Sequence, residues 1–154
     1  MSVYFLDSSA VVKRYVTETG TPWVKSIVNP RSGNHIHLAR ITGAEVVSAL
    51  SRRMHGGSIT AAAGAVAVAE FRNHFASEYV TVDITPSLIE SAMNLAETYA
   101  LRGYDAVQLA AALEVSTDSI ALGMGSPTLI SADSDLNAAA TAEGLAIKDP
   151  NTHP

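Results

Sequence analysis

Four acidic residues stand at places in the sequence where carboxylates could act together. Asp7 and Asp133 each follow a short apolar run, Asp105 opens an apolar-periodic stretch, and Glu45 lies among small and apolar residues. Carboxylate oxygens are hard ligands that suit Mg²⁺ or Mn²⁺. Ions held in this way can serve the attacking water and the leaving oxygen of a phosphodiester displacement. We therefore interpret the four acids as candidate metal ligands and catalytic residues for phosphodiester hydrolysis.

Each of these acids also has an ordinary structural explanation when it is considered alone. Asp7 and Asp133 are suitable helix N-caps, and the helix dipole favours an acid such as Asp105 in a first turn. Glu45 could be a solvated helix residue, although its neighbours are unusually apolar for one. Ser8 or Ser9 could equally cap the helix after Asp7, which would free Asp7 for another role. Ser134 and Asp135 are likewise rival caps to Asp133. Only the four acids together favour a metal site.

The composition is that of a folded domain. The 154 residues are 47% apolar and 16% charged, which is typical of a globular chain with a sizeable core. The absence of cysteine excludes a disulfide framework, a thiolate zinc site and a cysteine nucleophile. No signal peptide is evident, and the longest small-apolar run, 61–69, is too short to span a bilayer. We expect a soluble, cytoplasmic protein with one domain over residues 1–150 and a short tail over 151–154.

The net charge of −5 argues at first against a nucleic-acid partner. If the four acids bind metal, however, the rest of the chain is close to neutral. A bound divalent cation would also make the site attractive to phosphate. Net charge therefore leaves the class of partner open.

Short apolar runs rich in β-formers alternate with stretches of helical periodicity along the chain. The runs predict strands at 3–6, 35–38, 79–82, 128–131 and 146–147. Helices are predicted over 10–16, 21–28, 41–54, 60–75, 86–99, from 105 to about 113, and over 136–142, with Thr21 as the N-cap of the second. Residues 116–127 read as a long connection.

This alternation indicates an α/β domain with a mainly parallel sheet. Ligands of such sheets bind beyond the carboxyl ends of the strands. Because Asp7 and Asp133 both come directly after predicted strands, we expect them to open onto the same edge.

The motifs around the acids resemble those of PIN-domain proteins of the VapC toxin kind. They are Phe5-Leu6-Asp7-Ser8-Ser9-Ala10, Ala44-Glu45-Val46-Val47-Ser48-Ala49-Leu50, Tyr104-Asp105-Ala106-Val107-Gln108-Leu109-Ala110-Ala111-Ala112-Leu113 and Leu129-Ile130-Ser131-Ala132-Asp133-Ser134-Asp135-Leu136, with a closing Ala140, Gly144-Leu145 and Pro150. Each motif is short, but the four in this order are fairly specific, and they extend over nearly the whole chain.

The resemblance implies a PIN-like three-layer α/β fold, with a central, mainly parallel sheet of four to five short strands flanked by helices. It implies a metal-dependent endoribonuclease using Mg²⁺ or Mn²⁺, a small antitoxin partner and a homodimer. Asp7, Glu45, Asp105 and Asp133 correspond to the metal-site acids. Ser8 and Ser131 correspond to polar residues that support the site, and Asp135 either adds charge at its rim or caps the last helix. The long 116–127 connection departs from the family pattern.

Basic residues near the acids are candidates for weak contacts to RNA phosphates. They are Lys13, Arg14, Arg40 and Arg102. Arg52 and Arg53 fit better on a solvated helix face. The alanine-rich stretch from Thr60 offers a shallow apolar surface for a dimer or an antitoxin.

Two other functions fit parts of the sequence. A phosphotransfer or phosphatase-type α/β protein would use Asp7 as a covalent nucleophile. Such sites usually have a second acid two residues later, where this chain has Ser9. A catalytically inactive binding module would have no need of all four acids.

Overall fold

A five-stranded, entirely parallel sheet forms the centre of the computed structural model, which describes all 154 residues. The strands are β1 (Val3–Leu6), β2 (His35–Ala39), β3 (Val80–Val82), β4 (Thr128–Ile130) and β5 (Ala146–Lys148), in the spatial order β3-β2-β1-β4-β5. The central strand, β1, is apolar along its whole length, as expected for a parallel sheet that is covered on both faces.

Seven helices cover the sheet. They are α1 (Ser8–Tyr15), α2 (Thr21–Val28), α3 (Thr42–His55), α4 (Ala61–Ser77), α5 (Pro86–Tyr99), α6 (Gly103–Ala121) and α7 (Ser134–Ala142). Phe5 packs into an apolar cluster with α5, α6 and α7. Leu6 points to the opposite face and packs with α1 to α4. The alternating side chains of β1 thus join two cores, and the predicted three-layer α/β fold is confirmed.

The pairing of β1 with β4 fixes the position of the acidic edge. Leu6 lies opposite Ile130 in the parallel register, so the chain leaves both strands on the same side. Asp7 follows directly, and Asp133 comes three residues after Ile130. The expectation that both acids open onto one edge is confirmed.

Two local predictions were wrong. Helix α6 continues to Ala121, because Val115 and Ser119 keep a buried face beyond the motif, so only residues 122–127 form the connection to β4. Helix α2 begins after Gly20 rather than at a Thr21 cap, because the Thr21 hydroxyl instead donates to the Val16 carbonyl. No helix combines the length and the apolar character that a membrane span requires.

Candidate active site

Asp7 is buried at the carboxyl end of β1, where its side chain is only 4% exposed. Its Oδ1 accepts hydrogen bonds from the Ala10 amide at 3.0 Å and from the Ser9 hydroxyl at 2.6 Å. Asp7 is therefore itself the N-cap of α1, as its structural explanation expected, and neither Ser8 nor Ser9 takes that position. Burial raises the pKa of Asp7 to about 6 against the lowering effect of these hydrogen bonds, and the charge of Glu45 raises it further.

Ser131 connects the ends of β1 and β4. Its buried hydroxyl donates to Asp7 Oδ2 at 2.6 Å and accepts from the Asp133 amide at 3.0 Å. The Asn137 side chain donates to the Ser131 carbonyl at 2.8 Å and holds this turn against α7. The supporting role predicted for Ser131 fits this geometry.

Asp133 is the N-cap of α7. Its Oδ1 accepts a hydrogen bond from the Leu136 amide at 2.9 Å, so the rival caps predicted at the next two positions are not used. Its Oδ2 accepts no hydrogen bond from the protein and is the atom left for a ligand. Asp135 is exposed in the first turn of α7.

Glu45 reaches the same edge from α3 and is half-buried. Its Oε2 accepts from the Ser8 hydroxyl at 3.2 Å, and its Oε1 accepts from Gln108 Nε2 at 2.7 Å. Gln108, on α6, is buried and also donates to Thr42 Oγ1 at 2.9 Å. Burial raises the pKa of Glu45, and the bonds from Gln108 and Ser8 act in the opposite direction. Glu45 is thus oriented by the protein rather than solvated.

Asp105 lies in the first turn of α6, which begins two residues earlier than predicted because Arg102 takes the N-cap position. Its carboxylate accepts no hydrogen bond. The pKa of Asp105 is raised to about 6, chiefly by burial and next by the negative charge of Asp133. The charge of Arg102 lowers this pKa, and the charge of Glu45 raises it. The carboxylates of α3, α6 and the β4–α7 turn therefore lie within electrostatic reach of one another.

These acids form a region of excess negative charge rather than a closed metal cage. No group of three or more His, Asp or Glu side chains is arranged to hold an ion directly. Nevertheless, the Asp105 carboxylate accepts no hydrogen bond, and one oxygen of Asp133 has no protein donor. Repulsion between the acids also helps to raise the pKa of Asp105. An all-oxygen donor set with uncompensated charge fits a divalent cation.

A groove of about 810 Å³ adjoins the acids, between α1, α3 and the start of α6. Glu45 and Ser8 line it, together with Arg52 and Arg102. Neither of these two guanidinium groups has a hydrogen-bond or ion-pair partner in the protein. Arg52, which we had assigned to a solvated face, therefore belongs to the surroundings of the site.

The other basic candidates have partners of their own. Lys13 is buried, where it pairs with Glu18 at 3.2 Å and donates to the Thr19 carbonyl. Arg14 pairs with Glu78 at 2.9 Å beside a different cavity, and Arg40 pairs with Asp83 at the edge near β3. Of the four basic residues named from the sequence, only Arg102 is without a partner in the groove beside the acids.

Two features of the site were missed in the sequence. Gln108 and Asn137 are buried amide side chains in apolar helical stretches. Gln108 donates directly to Glu45, and Asn137 donates to the carbonyl of Ser131, which supports Asp7. A polar amide among apolar helix residues is a signal that could have identified them, because a buried polar group needs a partner.

The sequence profile of the PIN domain matches residues 4–142. The chain belongs to the PIN-domain family. Ribonuclease VapC45 from Mycobacterium tuberculosis (strain CDC 1551 / Oshkosh) is 31% identical over 125 residues, which cover 80% of this chain and 84% of the relative. Ribonuclease VapC49 from Mycobacterium tuberculosis (strain ATCC 25618 / H37Rv) matches with the same identity and coverage.

Solved structures support the same PIN fold. PAE2754 from Pyrobaculum aerophilum superposes with a TM-score of 0.64 at 18% identity, covering 98% of this chain and 91% of that one. VapBC2 from Rickettsia felis, bound to a DNA fragment from its promoter, gives 0.58 at 14% identity, covering 96% and 98%. FitAcB from Neisseria gonorrhoeae gives 0.58 at 14% identity, covering 96% and 97%.

Proposed function

We propose that this PIN-domain protein is a divalent-metal-dependent endoribonuclease and the toxin of a toxin–antitoxin pair. The observation that carries the proposal is the electrostatic coupling of Asp105 with Asp133 and Glu45, beside buried Asp7, at one edge of the sheet. The curated relatives are named as ribonucleases, which makes RNA the preferred substrate.

In this proposal Asp7, Glu45, Asp105 and Asp133 hold Mg²⁺ or Mn²⁺. When bound there, such an ion would offset the charge of the phosphate and lower the pKa of a water molecule. Ser131 holds the Asp7 carboxylate through Oδ2, and Ser8 with Gln108 holds both oxygens of Glu45. Asp105 and Asp133 present the oxygens that the protein leaves free. The protein thus holds both oxygens of Asp7 and of Glu45, while Asp133 keeps one oxygen without a protein donor and Asp105 keeps two.

The phosphotransfer alternative has little support in the geometry. Such sites usually have a second acid two residues after the nucleophile. In this chain that position is Ser9, whose hydroxyl donates a hydrogen bond to Asp7 Oδ1 at 2.6 Å. The inactive binding module is also disfavoured, because all four acids are present and electrostatically coupled.

The proposal includes a small antitoxin partner, a homodimer and a cytoplasmic location. Similar solved structures are named VapBC2 from Rickettsia felis, FitAcB from Neisseria gonorrhoeae and FitAB bound to a DNA fragment, and these two-component names support an antitoxin for this chain. Helix α4 offers a surface for either protein contact, since most of its alanines are exposed and Val66 is 58% exposed. Size measurement by light scattering, with and without a co-expressed antitoxin, tests both contacts.

The catalytic proposal is tested by cleavage of a panel of structured RNAs with Mg²⁺, Mn²⁺ or EDTA. Asp7→Asn and Asp105→Asn should abolish metal-dependent cleavage and keep a folded circular dichroism spectrum. Glu97→Gln, at an exposed carboxylate of α5, is the matched control and should retain full activity. Full cleavage by either aspartate variant would contradict the assignment.

A further inference from the structure

We propose that the groove beside the acids binds a single strand of RNA, with Arg52 and Arg102 contacting phosphates and Tyr104 stacking on a base. The inference rests on the proposed ribonuclease function and extends it to how the substrate is held. Three observations carry it: the charge of the groove, the spacing along α3 and the exposure of Tyr104.

The groove is positively charged in a chain whose net charge is −5. Four cationic side chains and two carboxylates line it. Glu18 pairs with both Lys13 and Arg53, at 3.2 Å in each case, and so offsets one of their two charges. Arg52 and Arg102 are left without partners. Unpaired guanidinium groups beside a nuclease site suit phosphate, which they can bind through two parallel hydrogen bonds.

The spacing along α3 matches a strand that passes over the acids. Arg52 comes seven residues after Glu45, which places it on the same helix face about 10 Å further along the axis. One strand rises roughly 3.4 Å per nucleotide when stacked, so Arg52 lies about three nucleotide steps from Glu45. Ser48 and Ala49 lie between them and line the groove with small side chains, which leaves room for a backbone. Arg102 approaches from the start of α6, three residues before Asp105.

Tyr104 supplies an aromatic surface at the rim of the groove. It is 63% exposed, its hydroxyl has no partner, and no other tyrosine, tryptophan or phenylalanine is exposed. Its neighbour Asp105 belongs to the proposed metal site. An exposed ring next to unpaired arginines is the combination with which proteins bind single strands without reading their sequence.

The test measures binding of a fluorescent single-stranded RNA by anisotropy across a range of salt concentrations. Asp7→Asn serves as the background so that the RNA stays intact. Arg52→Gln and Arg102→Gln should each weaken binding and reduce the slope of log affinity against log salt by about 0.7, the value for one lost phosphate contact. Tyr104→Ala should weaken binding roughly fivefold to a hundredfold with little change in slope, and Tyr104→Phe should restore it.

The matched control is Arg31→Gln. Arg31 is exposed in the short 3₁₀ turn before β2, at the edge of the sheet opposite the acids. Its substitution removes one positive charge, as Arg52→Gln and Arg102→Gln do. Its affinity and slope should stay close to those of the parent protein. If Arg52→Gln and Arg102→Gln behave like Arg31→Gln, the groove proposal is overturned. The groove proposal is also overturned if Arg52→Gln and Arg102→Gln keep their affinity for RNA but lose binding to polyglutamate. That result would make the groove a site for an acidic protein.

The proposed function and the groove can fail separately. Metal-dependent cleavage by Asp7→Asn would remove the catalytic assignment, whatever the binding data show. Cleavage that requires Asp7, combined with RNA binding that ignores Arg52, Arg102 and Tyr104, would keep the nuclease and discard the groove.

Discussion

The burial of Asp7 predicts that the proposed active site destabilises the metal-free protein. Burial raises the pKa of Asp7 from its usual 3.8 to about 6. The folded state therefore binds this proton more tightly than the unfolded state, and stability falls as the pH rises between these two values. At about 1.4 kcal/mol per pH unit, the ionised carboxylate costs about 3 kcal/mol above pH 6 and almost nothing below pH 4.

Asp7→Asn should recover part of this free energy. The asparagine carbonyl can keep the bonds from the Ala10 amide and the Ser9 hydroxyl, while its amide group turns toward Ser131, whose own hydroxyl loses an acceptor. The weakened hydrogen bond to Ser131 should cost about 1–2 kcal/mol, which offsets part of the free energy gained by removing the buried charge. The variant should thus be about 1–2 kcal/mol more stable than the natural chain at pH 7.5 in EDTA, and no more stable at pH 4.

Urea unfolding of both proteins at the two pH values measures the difference. Mn²⁺ should raise the free energy of unfolding of the natural chain and have little effect on Asp7→Asn, because the ion binds only the intact folded site. Glu97→Gln controls for the loss of one surface charge. Destabilisation by Asp7→Asn at pH 7.5 in EDTA, or a difference that does not change with pH, would refute the reasoning.

Three further outcomes are expected from the contacts around the acids. Ser131→Ala should cost about 1–3 kcal/mol of unfolding free energy in urea titrations, because Asp7 Oδ2 loses its only donor; an unchanged midpoint would count against this. Gln108→Leu should lower Mn²⁺ affinity about 10–100-fold by calorimetry, since Glu45 Oε1 loses its donor, and Gln108→Glu should not restore it. Mn²⁺ affinity should fall as the pH drops through about 6, where Asp105 becomes protonated, and a flat profile from pH 5 to 8 would contradict the assigned pKa.

The sequence was sufficient to predict the sheet because its strands are short apolar runs with clear breaks. β1 pairs with both β2 and β4, and helices cover both of its faces, so its side chains must be apolar on both faces. The run Val3–Leu6 has this character in the sequence itself. The end of α6 was misplaced for the opposite reason. Residues 116–121 are largely polar, and their helical state depends on the burial of Ser119, which only the tertiary packing decides.

The positions of the acids were predictable, but their hydrogen bonds were not. A strand followed by Asp and Ser permits either residue to cap the helix. In the structure Asp7 does so because Ser131, more than a hundred residues later, holds its other oxygen. The selection of Arg52 over Arg53 has a similar origin, since only the fold shows that Glu18 pairs with Arg53.

The place of β1 between β2 and β4 has a consequence for how the protein is made. One side of β1 stays unpaired until residues 128–130 have been synthesised, and Asp133 follows them. A ribosome-bound chain that has released only the first three strands and their helices therefore lacks both β4, which leads into Ser131, and the fourth acid. The nuclease proposed here would therefore lack a complete acidic site until β4 and Asp133 have left the ribosome and β4 has paired with β1.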